Sequence, residues 1–378
     1  MISGTHLEAF VQELRRKGAF RAPWLEDAVR AVPRHCFIEQ YYGPQNDLVA
    51  FDPDLATDEQ LKLIYSDMGL MIRKTPHSAA SQPSLVLCML ADLDIRPGQK
   101  VFEIGTGSGW NAGLLAFGVG AGDLVYSTDA LPDLVQQAGV HLRRAGIHGV
   151  NLRAGDAGYG WSEAAPFDRI MATVGCPDIP PAWHEQLAEG GALLLPLKTA
   201  GIGDPVIRLR KRDGRMIGEF TRWSWFCTLQ GDYWSDVEDI LQEPFEPRLE
   251  ALLLQEPKQI LLSEPITPDG LFFARLKGLH FQGLHNDDHG VLRVGYLHSE
   301  SMSVLLPDKE SPVLQVCGDS DVGTIVSGYH EEWIHLGRPR ITDYRAELVD
   351  RDAVCEDSRS WLDTRRHACL RFSLGQAG

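Results

Sequence analysis

The sequence predicts an α/β fold, with a doubly wound parallel sheet in residues 1–230 and a C-terminal α+β domain in residues 231–378. Short apolar runs alternate with helical stretches between residues 100 and 197, and a glycine-rich turn follows the first of these runs. After about residue 231 the pattern changes, because prolines separate short segments. Strands and helices that alternate at this spacing favour a parallel sheet with helices on both faces.

The chain is expected to begin with two helices. The first is predicted over residues 5–17, and its apolar face consists of residues at helical spacing, namely Leu7, Phe10, Val11 and Leu14. The second runs from Pro23 to Val32, and residues 43–60 are expected to form a loop. A polar stretch from Thr75 to Pro83 then leads into an apolar helix, Leu85–Leu93. Within or beside this stretch, Ser81 and Ser84 either cap the helix or present hydroxyl groups to a ligand.

The strand expected at 100–104 runs directly into three glycines, Gly105, Gly107 and Gly109. Because glycine has no Cβ and takes positive φ, such a turn brings bare backbone against a ligand, although tight strand–helix turns also use glycine without one. The next strand, 124–128, ends at Asp129, 24 residues after the first glycine. A carboxylate there either accepts hydrogen bonds from both ribose hydroxyls of a nucleoside cofactor or is a surface group at a strand end. The spacing Gly-x-Gly-x-Gly is shorter than the dinucleotide pattern, so S-adenosylmethionine fits it better than NAD.

Further strands are predicted at 150–153, 168–174 and 192–197, helices at 109–118, 131–145 and 180–188, and a hairpin over 205–220. Ligands of such sheets bind beyond the carboxyl ends of the strands. We therefore expect the strand-end residues to converge on one crevice, and these are Gly105, Asp129, Asp156 and Thr173. Asp156 either accepts a hydrogen bond from an adenine amino group or only forms a turn.

The C-terminal domain is expected to contain strands at 291–297, 302–306 and 313–317, a helix at 322–336, and strands at 345–349 and 369–374. The sequence His285-Asn-Asp-Asp-His289 has side chains that bind metals, but a polar loop flanked by glycine is more often a solvated turn, and we expect no metal.

The composition of the chain restricts the classes of partner, metal site and cellular location that are expected. The net charge is −16, and residues 231–378 hold 26 acidic and 14 basic residues, so nucleic acid is not expected as a partner. Seven cysteines without a Cys-x-x-Cys pair argue against a disulfide framework or a zinc site. No signal peptide and no membrane-spanning stretch is evident, so a cytoplasmic protein is expected; the oligomeric state stays open.

About 165 residues resemble the protein-L-isoaspartate O-methyltransferase family. The matching segments occur in order along the chain: Val32-Pro33-Arg34-His35-x-Phe37, Val101–Trp110, Val125–Asp129, Gly155-Asp156, Ala165–Asp168, Val174–Pro180 and Gln186–Leu193. The resemblance implies a Rossmann-like class I methyltransferase sheet and S-adenosylmethionine as cofactor, with S-adenosylhomocysteine as product.

The resemblance also implies the residues of the site. The candidate cofactor-binding residues are Ser78, Glu103, Gly105, Thr106, Gly107, Ser108, Gly109, Asp129, Ala130, Asp156, Ala157 and Thr173. The candidate substrate-binding residues are Ser81, Pro83, Ser84 and Val174, and Ser81 is expected to orient the acceptor carboxylate by a hydrogen bond. The family carries Gln-Thr-Ile-Ser-x-Pro-His in this region, whereas this chain has Ser78, Ala79 and Ser84 at the Gln, Thr and His positions.

This departure, and the residues beyond 230, favour a relative of the enzymes that act on ribosomally made, modified peptides such as lasso peptides, graspetides and lanthipeptides. By this similarity, residues 231–378 are expected to bind the peptide substrate. The expected reaction is methylation of an aspartyl carboxylate in such a peptide, after which the ester closes to aspartimide. The alternative is repair of isoaspartyl residues in damaged proteins, in which case deletion of 231–378 spares activity. A third possibility is a cofactor-binding fold that binds a peptide without turnover.

Overall fold

A ten-stranded mixed sheet forms the centre of this computed structural model. The structure describes residues 4–199, 202–234, 252, 254–286, 290–298, 301–307, 312–318, 320–355 and 358–375. The helices in these ranges are α1 Gly4–Arg16, α2 Leu25–Ala31, α3 Asp58–Ile64, α4 Pro83–Leu93, α5 Trp110–Val119, α6 Pro132–Arg144, α7 Pro181–Glu185, α8 Pro268–Leu276 and α9 Ser320–His335. The strands up to the predicted boundary are β1 Gln40–Tyr42, β2 Leu48–Ala50, β3 Leu70–Arg73, β4 Ser78–Ala80, β5 Val101–Ile104, β6 Val125–Asp129, β7 Asn151–Ala154, β8 Phe167–Ala172, β9 Leu187–Pro196, β10 Asp204–Arg212 and β11 Arg215–Ser224. The later strands are β12 Lys258–Leu261, β13 His280–Asn286, β14 Gly290–His298, β15 Ser301–Pro307, β16 Val313–Gly318, β17 Tyr344–Val349, β18 Ser360–Thr364 and β19 Cys369–Leu374.

One half of the large sheet is parallel, as the sequence predicts. Strands β7, β6, β5, β8 and β9 are neighbours in that order, and each pair is parallel. Strand β5 lies between β6 and β8, so the chain order reverses there. All four residues of β5 are buried, because helices cover both faces of this central strand.

The other half is antiparallel and includes strands from the region after residue 230. The order continues from β9 through β10, β11, β17 and β19 to β18. The pairing of β11 with β17 joins Ile217 to Glu347 across the predicted boundary, so the sheet has no break at residue 230. A separate five-stranded sheet contains β12 to β16, and α9 packs against it. The assignment of residues 1–230 and 231–378 to two domains stays a prediction.

Most of the predicted helices and strands are present within a few residues of their expected ends. The predicted loop 43–60 contains β2 and the start of α3, whose Thr57 and Gln60 form a capping box. The helix predicted at 180–188 ends at Glu185, because the chain enters β9 at Leu187. The strand predicted at 168–174 leaves the sheet after Ala172. Strands β1, β3, β4, β12, β13 and β18 were not predicted.

Apolar residues fill both sides of the large sheet. On one side Val101, Val125 and Val206 pack beneath the layer that contains α1, α2, α4 and α5. On the other side Phe102, Phe167 and Phe220 pack with aromatic residues of α8 and the last strands. In the part of the chain that the structure describes, no helix has the length and apolar character needed to cross a bilayer.

Candidate active site

A cavity of about 380 Å³ lies at the carboxyl ends of β5, β6 and β8. Its walls are the glycine turn after β5, the stretch from His77 to Gln82 before α4, and the stretch from Trp223 to Gln230 at the end of the β10–β11 hairpin. The chain order of the sheet reverses at β5, and α/β sheets bind ligands at such points. This cavity is therefore the candidate active site.

The glycine turn presents backbone to the cavity at Gly107. Gly105 has φ 92° and Gly109 has φ 87°, and a Cβ at these positions would lie 2.8 Å from Val174 Cγ1 and 3.0 Å from Ala138 Cβ respectively. Neither position accepts a side chain without strain. At Gly107, which lines the cavity, the nearest atom to such a Cβ is 3.9 Å away. A ligand therefore has room to approach the chain at this residue.

Asp129 ends β6 at the wall of the cavity. Its Oδ2 accepts a hydrogen bond from the N–H of Gly107 at 2.9 Å, and its Oδ1 accepts one from the N–H of Leu131 at 3.1 Å. Burial raises the pKa of this carboxyl group, and the two N–H donors oppose that effect. Because each carboxylate oxygen has a second lone pair, the group can still accept hydrogen bonds from a ligand. Its predicted contact with a ribose stays a prediction.

Glu103 lies beneath the turn and does not line the cavity. Its carboxyl group accepts hydrogen bonds from Asn111 Nδ2 at 2.7 Å and from Ser127 Oγ at 2.5 Å. Ser127 Oγ is also 2.7 Å from Thr106 Oγ1 in the glycine turn. Burial raises the pKa of Glu103 from 4.5 to about 7. Glu103 therefore supports the turn through Ser127 and Thr106, and its predicted contact with the cofactor stays a prediction.

Arg34 fixes the backbone next to Ser81. The guanidinium group is buried, and burial lowers its pKa to about 10. It donates hydrogen bonds to five backbone carbonyl groups, those of Ile64, Ser66, Met68, Ala80 and Ser81. Ser81 lines the cavity, and among the described residues its hydroxyl group has no hydrogen-bond partner. The hydroxyl group is thus available to a substrate, while its backbone is held in place.

Ser84 faces away from the cavity, toward Asp67. The Asp67 carboxylate accepts hydrogen bonds from the Ser84 N–H and hydroxyl, both at 2.7 Å, and from Gln82 and Lys17. Burial raises the pKa of Asp67, but the hydrogen bonds from Lys17 and Ser84 outweigh it and the pKa lies below its usual value. Helix α4 begins at Pro83, and neither Pro83 nor Ser84 lines the cavity. Asp67 therefore satisfies the helix N-terminus, and the predicted substrate contacts of these two residues stay predictions.

The third wall is held by long-range contacts. Lys198 donates to Asp204 at 3.0 Å and to the carbonyl of Phe226 at 2.7 Å, and Asp204 accepts from the Phe226 N–H at 2.9 Å. Burial raises the pKa of Asp204, and the nearby Lys198 opposes that effect. At the far end of this wall, Gln230 donates to the carbonyl of His77 at 3.3 Å and so joins it to the wall that contains Ser81.

Asp156 has its carboxylate turned toward the backbone. It accepts hydrogen bonds from the N–H groups of Gly158 at 2.8 Å and Tyr233 at 2.6 Å, and it does not line the cavity. Its neighbour Ala157 does line it. The structure thus shows the turn-forming role that the sequence left open, and the contact with adenine stays a prediction.

The structure brings most of the predicted residues together. Those that line the cavity are Ser78, Ser81, Gly105, Thr106, Gly107, Ser108, Asp129, Ala130, Ala157, Thr173 and Val174. Those that do not are Glu103, Gly109, Asp156, Pro83 and Ser84. Sequence reasoning missed Arg34 and the whole stretch from Trp223 to Gln230. Of these, only Arg34 lies in a segment with a recognisable sequence pattern, Val32-Pro33-Arg34-His35-x-Phe37.

The lining suits a nucleoside ligand without a phosphate group. It offers backbone at Gly107, hydroxyl groups and the Asp129 carboxylate, while the guanidinium of Arg34 is already bound to carbonyl oxygens. Two buried cavity-lining atoms, Asn111 Oδ1 and Thr128 Oγ1, have no hydrogen-bond partner among the described residues. These groups fit S-adenosylmethionine. Within the described ranges no cluster of His, Cys, Asp and Glu suits a metal ion; residues 287–289 of the stretch His285–His289 lie outside those ranges.

The sheet order, the glycine turn after β5 and the acid after β6 define a class I methyltransferase that uses S-adenosylmethionine. A family model described as protein-L-isoaspartate(D-aspartate) O-methyltransferase (PCMT) matches residues 5–232, and the chain belongs to this family. It is thus a protein carboxyl O-methyltransferase that depends on S-adenosylmethionine, as the sequence predicted.

Relatives agree over the same region. The protein-L-isoaspartate O-methyltransferase of Pyrococcus horikoshii is 34% identical over 203 residues, which are 54% of this chain and 82% of the relative. The protein of that name from Geobacter metallireducens is 35% identical over 216 residues, 57% of this chain and 89% of the relative. A solved structure named protein-L-isoaspartate O-methyltransferase has a TM-score of 0.54 at 22% identity and covers 93% of this chain and 100% of its own, which shows a shared fold.

Proposed function

We propose that the chain methylates the free carboxyl group of isoaspartyl residues in proteins and peptides. The proposal is carried by the family match over residues 5–232. Ser81 can supply a hydrogen-bond donor for the carboxylate, because it lines the cavity, its hydroxyl group has no partner among the described residues, and Arg34 holds its backbone. The names of the relatives agree with the same substrate. This substrate was the alternative that the sequence left open.

The reaction needs orientation more than proton transfer. When bound, S-adenosylmethionine supplies an electrophilic methyl group to a carboxylate oxygen and S-adenosylhomocysteine leaves. A substrate carboxylate with an ordinary pKa near 4 is already ionised at neutral pH, so no general base is required. The cofactor would be held by the turn from Gly105 to Ser108, by Asp129 and by Thr173.

Ser81 would donate a hydrogen bond to the acceptor carboxylate and so fix the direction of its attacking oxygen. The contact between Gln230 and His77 joins two walls of the cavity and so helps to hold them in a fixed arrangement around the substrate. Methylation converts the carboxylate into an ester with a better leaving group. A neighbouring backbone amide then displaces methanol and forms a succinimide, with no further group from the enzyme.

A second candidate is methylation of an aspartyl residue in one dedicated modified peptide. Two observations favour it: this chain has Ser78, Ala79 and Ser84 where the family segment has Gln, Thr and His, and the family model ends at residue 232. Both substrates would receive the methyl group by the same chemistry. The candidates differ in the polypeptide that enters the cavity.

The test is mass spectrometry of matched reactions with S-adenosylmethionine. One reaction contains an isoaspartyl peptide, its control contains the same peptide with aspartate, and a third contains any modified peptide encoded beside the gene. We expect the mass of one added methylene, followed by loss of methanol, with the isoaspartyl peptide alone. Methylation of the neighbouring peptide alone would replace the proposal with the second candidate, and no mass change with cofactor bound would favour a binding protein without turnover.

The role of Ser81 is tested with Ser81→Ala and the matched variant Ser81→Thr, which keeps the hydroxyl group. A hydrogen bond to a charged group contributes about 1.5–3 kcal/mol, so Ser81→Ala should lower kcat/KM by about tenfold or more. The affinity for the cofactor should stay within about twofold in both variants. Full activity of Ser81→Ala would refute the assignment.

A further inference from the structure

One face of the antiparallel half-sheet carries an unusual number of arginines. In β10, β11, β17, β19 and β18, alternate residues point to the two faces of the sheet. One face packs against α8, and the residues of the other face form one row on each strand. We call these fifteen residues the arginine face: Arg208, Arg210, Arg212, Arg215, Ile217, Glu219, Arg345, Glu347, Val349, Ser360, Leu362, Thr364, Cys369, Arg371 and Ser373. It contains six arginines and two glutamates in a chain whose net charge is −16.

The two glutamates do not neutralise the arginine face. Glu219 accepts from Arg208 Nε at 3.1 Å and from Arg345 at 2.9 Å. Glu347 accepts from Arg215 Nε at 3.0 Å and from Arg371 at 2.5 Å. Each carboxylate thus lies between two guanidinium groups, and the arginine face holds more arginines than glutamates.

Two further arginines add to this charge. Within the described residues, Arg210 and Arg212 have no hydrogen bond or salt bridge, and the two side chains lie on the same strand, β10. Burial and the neighbouring Arg208 lower the pKa of the half-buried Arg210, and the carboxylates of Asp94 and Glu219 oppose this effect without accepting a hydrogen bond from it. A carboxylate from outside the chain would relieve this repulsion and supply the missing hydrogen-bond acceptor.

The arginine face is open to solvent on β10, β11 and β17, whereas Ser360 and Cys369 on β18 and β19 are buried. The apolar cluster on this side of the sheet includes Val206 at the start of β10 but no residue of β11, β17, β18 or β19. Arg212, Arg215 and Arg345 are exposed to solvent. The catalytic cavity does not include any residue of the arginine face, so a partner here leaves the cavity free.

We propose that the arginine face binds an acidic segment of another polypeptide. Guanidinium groups match carboxylates in geometry and charge, and an extended acidic chain can cross several strands of the sheet. A single-stranded nucleic acid fits less well, because the aromatic residues of these strands, such as Tyr344, Trp361 and Phe372, are buried on the opposite face and no aromatic side chain on the arginine face can stack on a base.

The experiment measures fluorescence anisotropy of a labelled octaglutamate peptide at low salt, with the full chain. The test variant is Arg210→Gln/Arg212→Gln, and the matched control is Arg16→Gln/Arg143→Gln, which removes two exposed charges from α1 and α6. We expect the wild-type chain to bind the peptide, the test variant to bind about fivefold more weakly, as the loss of two solvent-screened charge pairs with the peptide implies, and the control to bind within about twofold of wild type. Equal midpoints of thermal unfolding will show that both variants fold.

Other outcomes would overturn the proposal. These are an absence of peptide binding to the wild-type chain, equal weakening in the two variants, or tighter binding of a labelled oligouridylate of the same length. A wild-type dimer in light scattering that dissociates in the Arg210→Gln/Arg212→Gln variant would instead assign the arginine face to a second copy of this chain.

Discussion

Glu103→Gln should remove a pH-dependent loss of stability from this chain. The side chain is fully buried under the glycine turn, and burial raises its pKa from 4.5 to about 7. A carboxyl group whose pKa is higher in the folded state stabilises the fold in its neutral form, at low pH. That stabilisation is complete below about pH 4.5 and is lost as the pH rises through 7.

The expected change in the free energy of unfolding follows from the size of the pKa shift of Glu103. One pKa unit corresponds to about 1.4 kcal/mol, so the wild-type chain should lose about 3 kcal/mol of unfolding free energy relative to the variant between pH 4.5 and pH 8. Glutamine can keep the network intact. Its oxygen accepts from Asn111, and its NH₂ group donates to Ser127, whose hydroxyl group then donates to Thr106.

The assay is urea unfolding of the wild type and of Glu103→Gln at several values between pH 5 and pH 8. The difference between the two free energies isolates Glu103, because the other titrating groups are present in both proteins. Glu59→Gln, which removes an exposed carboxyl group of α3, is the matched control. A difference that does not change with pH, or that changes in favour of the wild type as the pH rises, would refute the reasoning.

Three more substitutions test the site and its supports. Asp129→Asn replaces the carboxylate at the end of β6, and calorimetry should show cofactor affinity reduced by about tenfold, whereas unchanged affinity would contradict the predicted contact. Arg34→Lys leaves buried carbonyl groups without donors and should cost about 2–3 kcal/mol in urea unfolding and lower kcat; equal stability would show that those carbonyl groups find other donors. Asp178→Asn turns one NH₂ group toward the N–H of His367 and should cost about 2 kcal/mol in the same assay, and no loss would mean that this contact does not stabilise the fold.

The sequence predicted the parallel half of the sheet because its information there is local. A run such as Val101–Ile104 is apolar on both faces, and three closely spaced glycines directly after such a run are typical of a turn that brings backbone against a ligand. Asp129 could be placed for the same reason, since a strand end fixes where its last side chain lies. These features need only neighbouring residues to be recognised.

The missed parts of the site depend on distant contacts. The wall from Trp223 to Gln230 is positioned by the bridge between Gly175 and Thr228 and by Lys198, and no periodicity in the sequence reports such pairing. Asp67 lies in a loop, and its contacts with Ser84 and Gln82 depend on the packing of α4 against that loop, which the sequence does not report. Arg34 lay in a segment used for the resemblance, but its five carbonyl partners are spread over residues 64–81 and become visible only in the fold.

The turn between β18 and β19, near the C-terminus, contacts residues close to the cavity. Asp178, which lies just after the strand-end residues Thr173 and Val174, accepts hydrogen bonds from the N–H groups of His367 at 2.6 Å and Ala368 at 3.1 Å in the turn between β18 and β19. The His367 ring also lies 4.7 Å from that of Tyr233, whose N–H donates to Asp156 beside the cavity.

Deletion of residues 231–378 would therefore remove β17, one of the two neighbours of β11, together with the partners of Asp178, whatever the substrate is. Loss of activity in that deletion would not separate an enzyme for one dedicated peptide from an isoaspartyl enzyme. Substitutions that leave the β18–β19 hairpin in place can distinguish the two candidate enzymes, because they change a surface and keep the contacts that hold the cavity together. For this reason the substrate comparison and the variants of the arginine face carry more information about the region after residue 230 than its removal would.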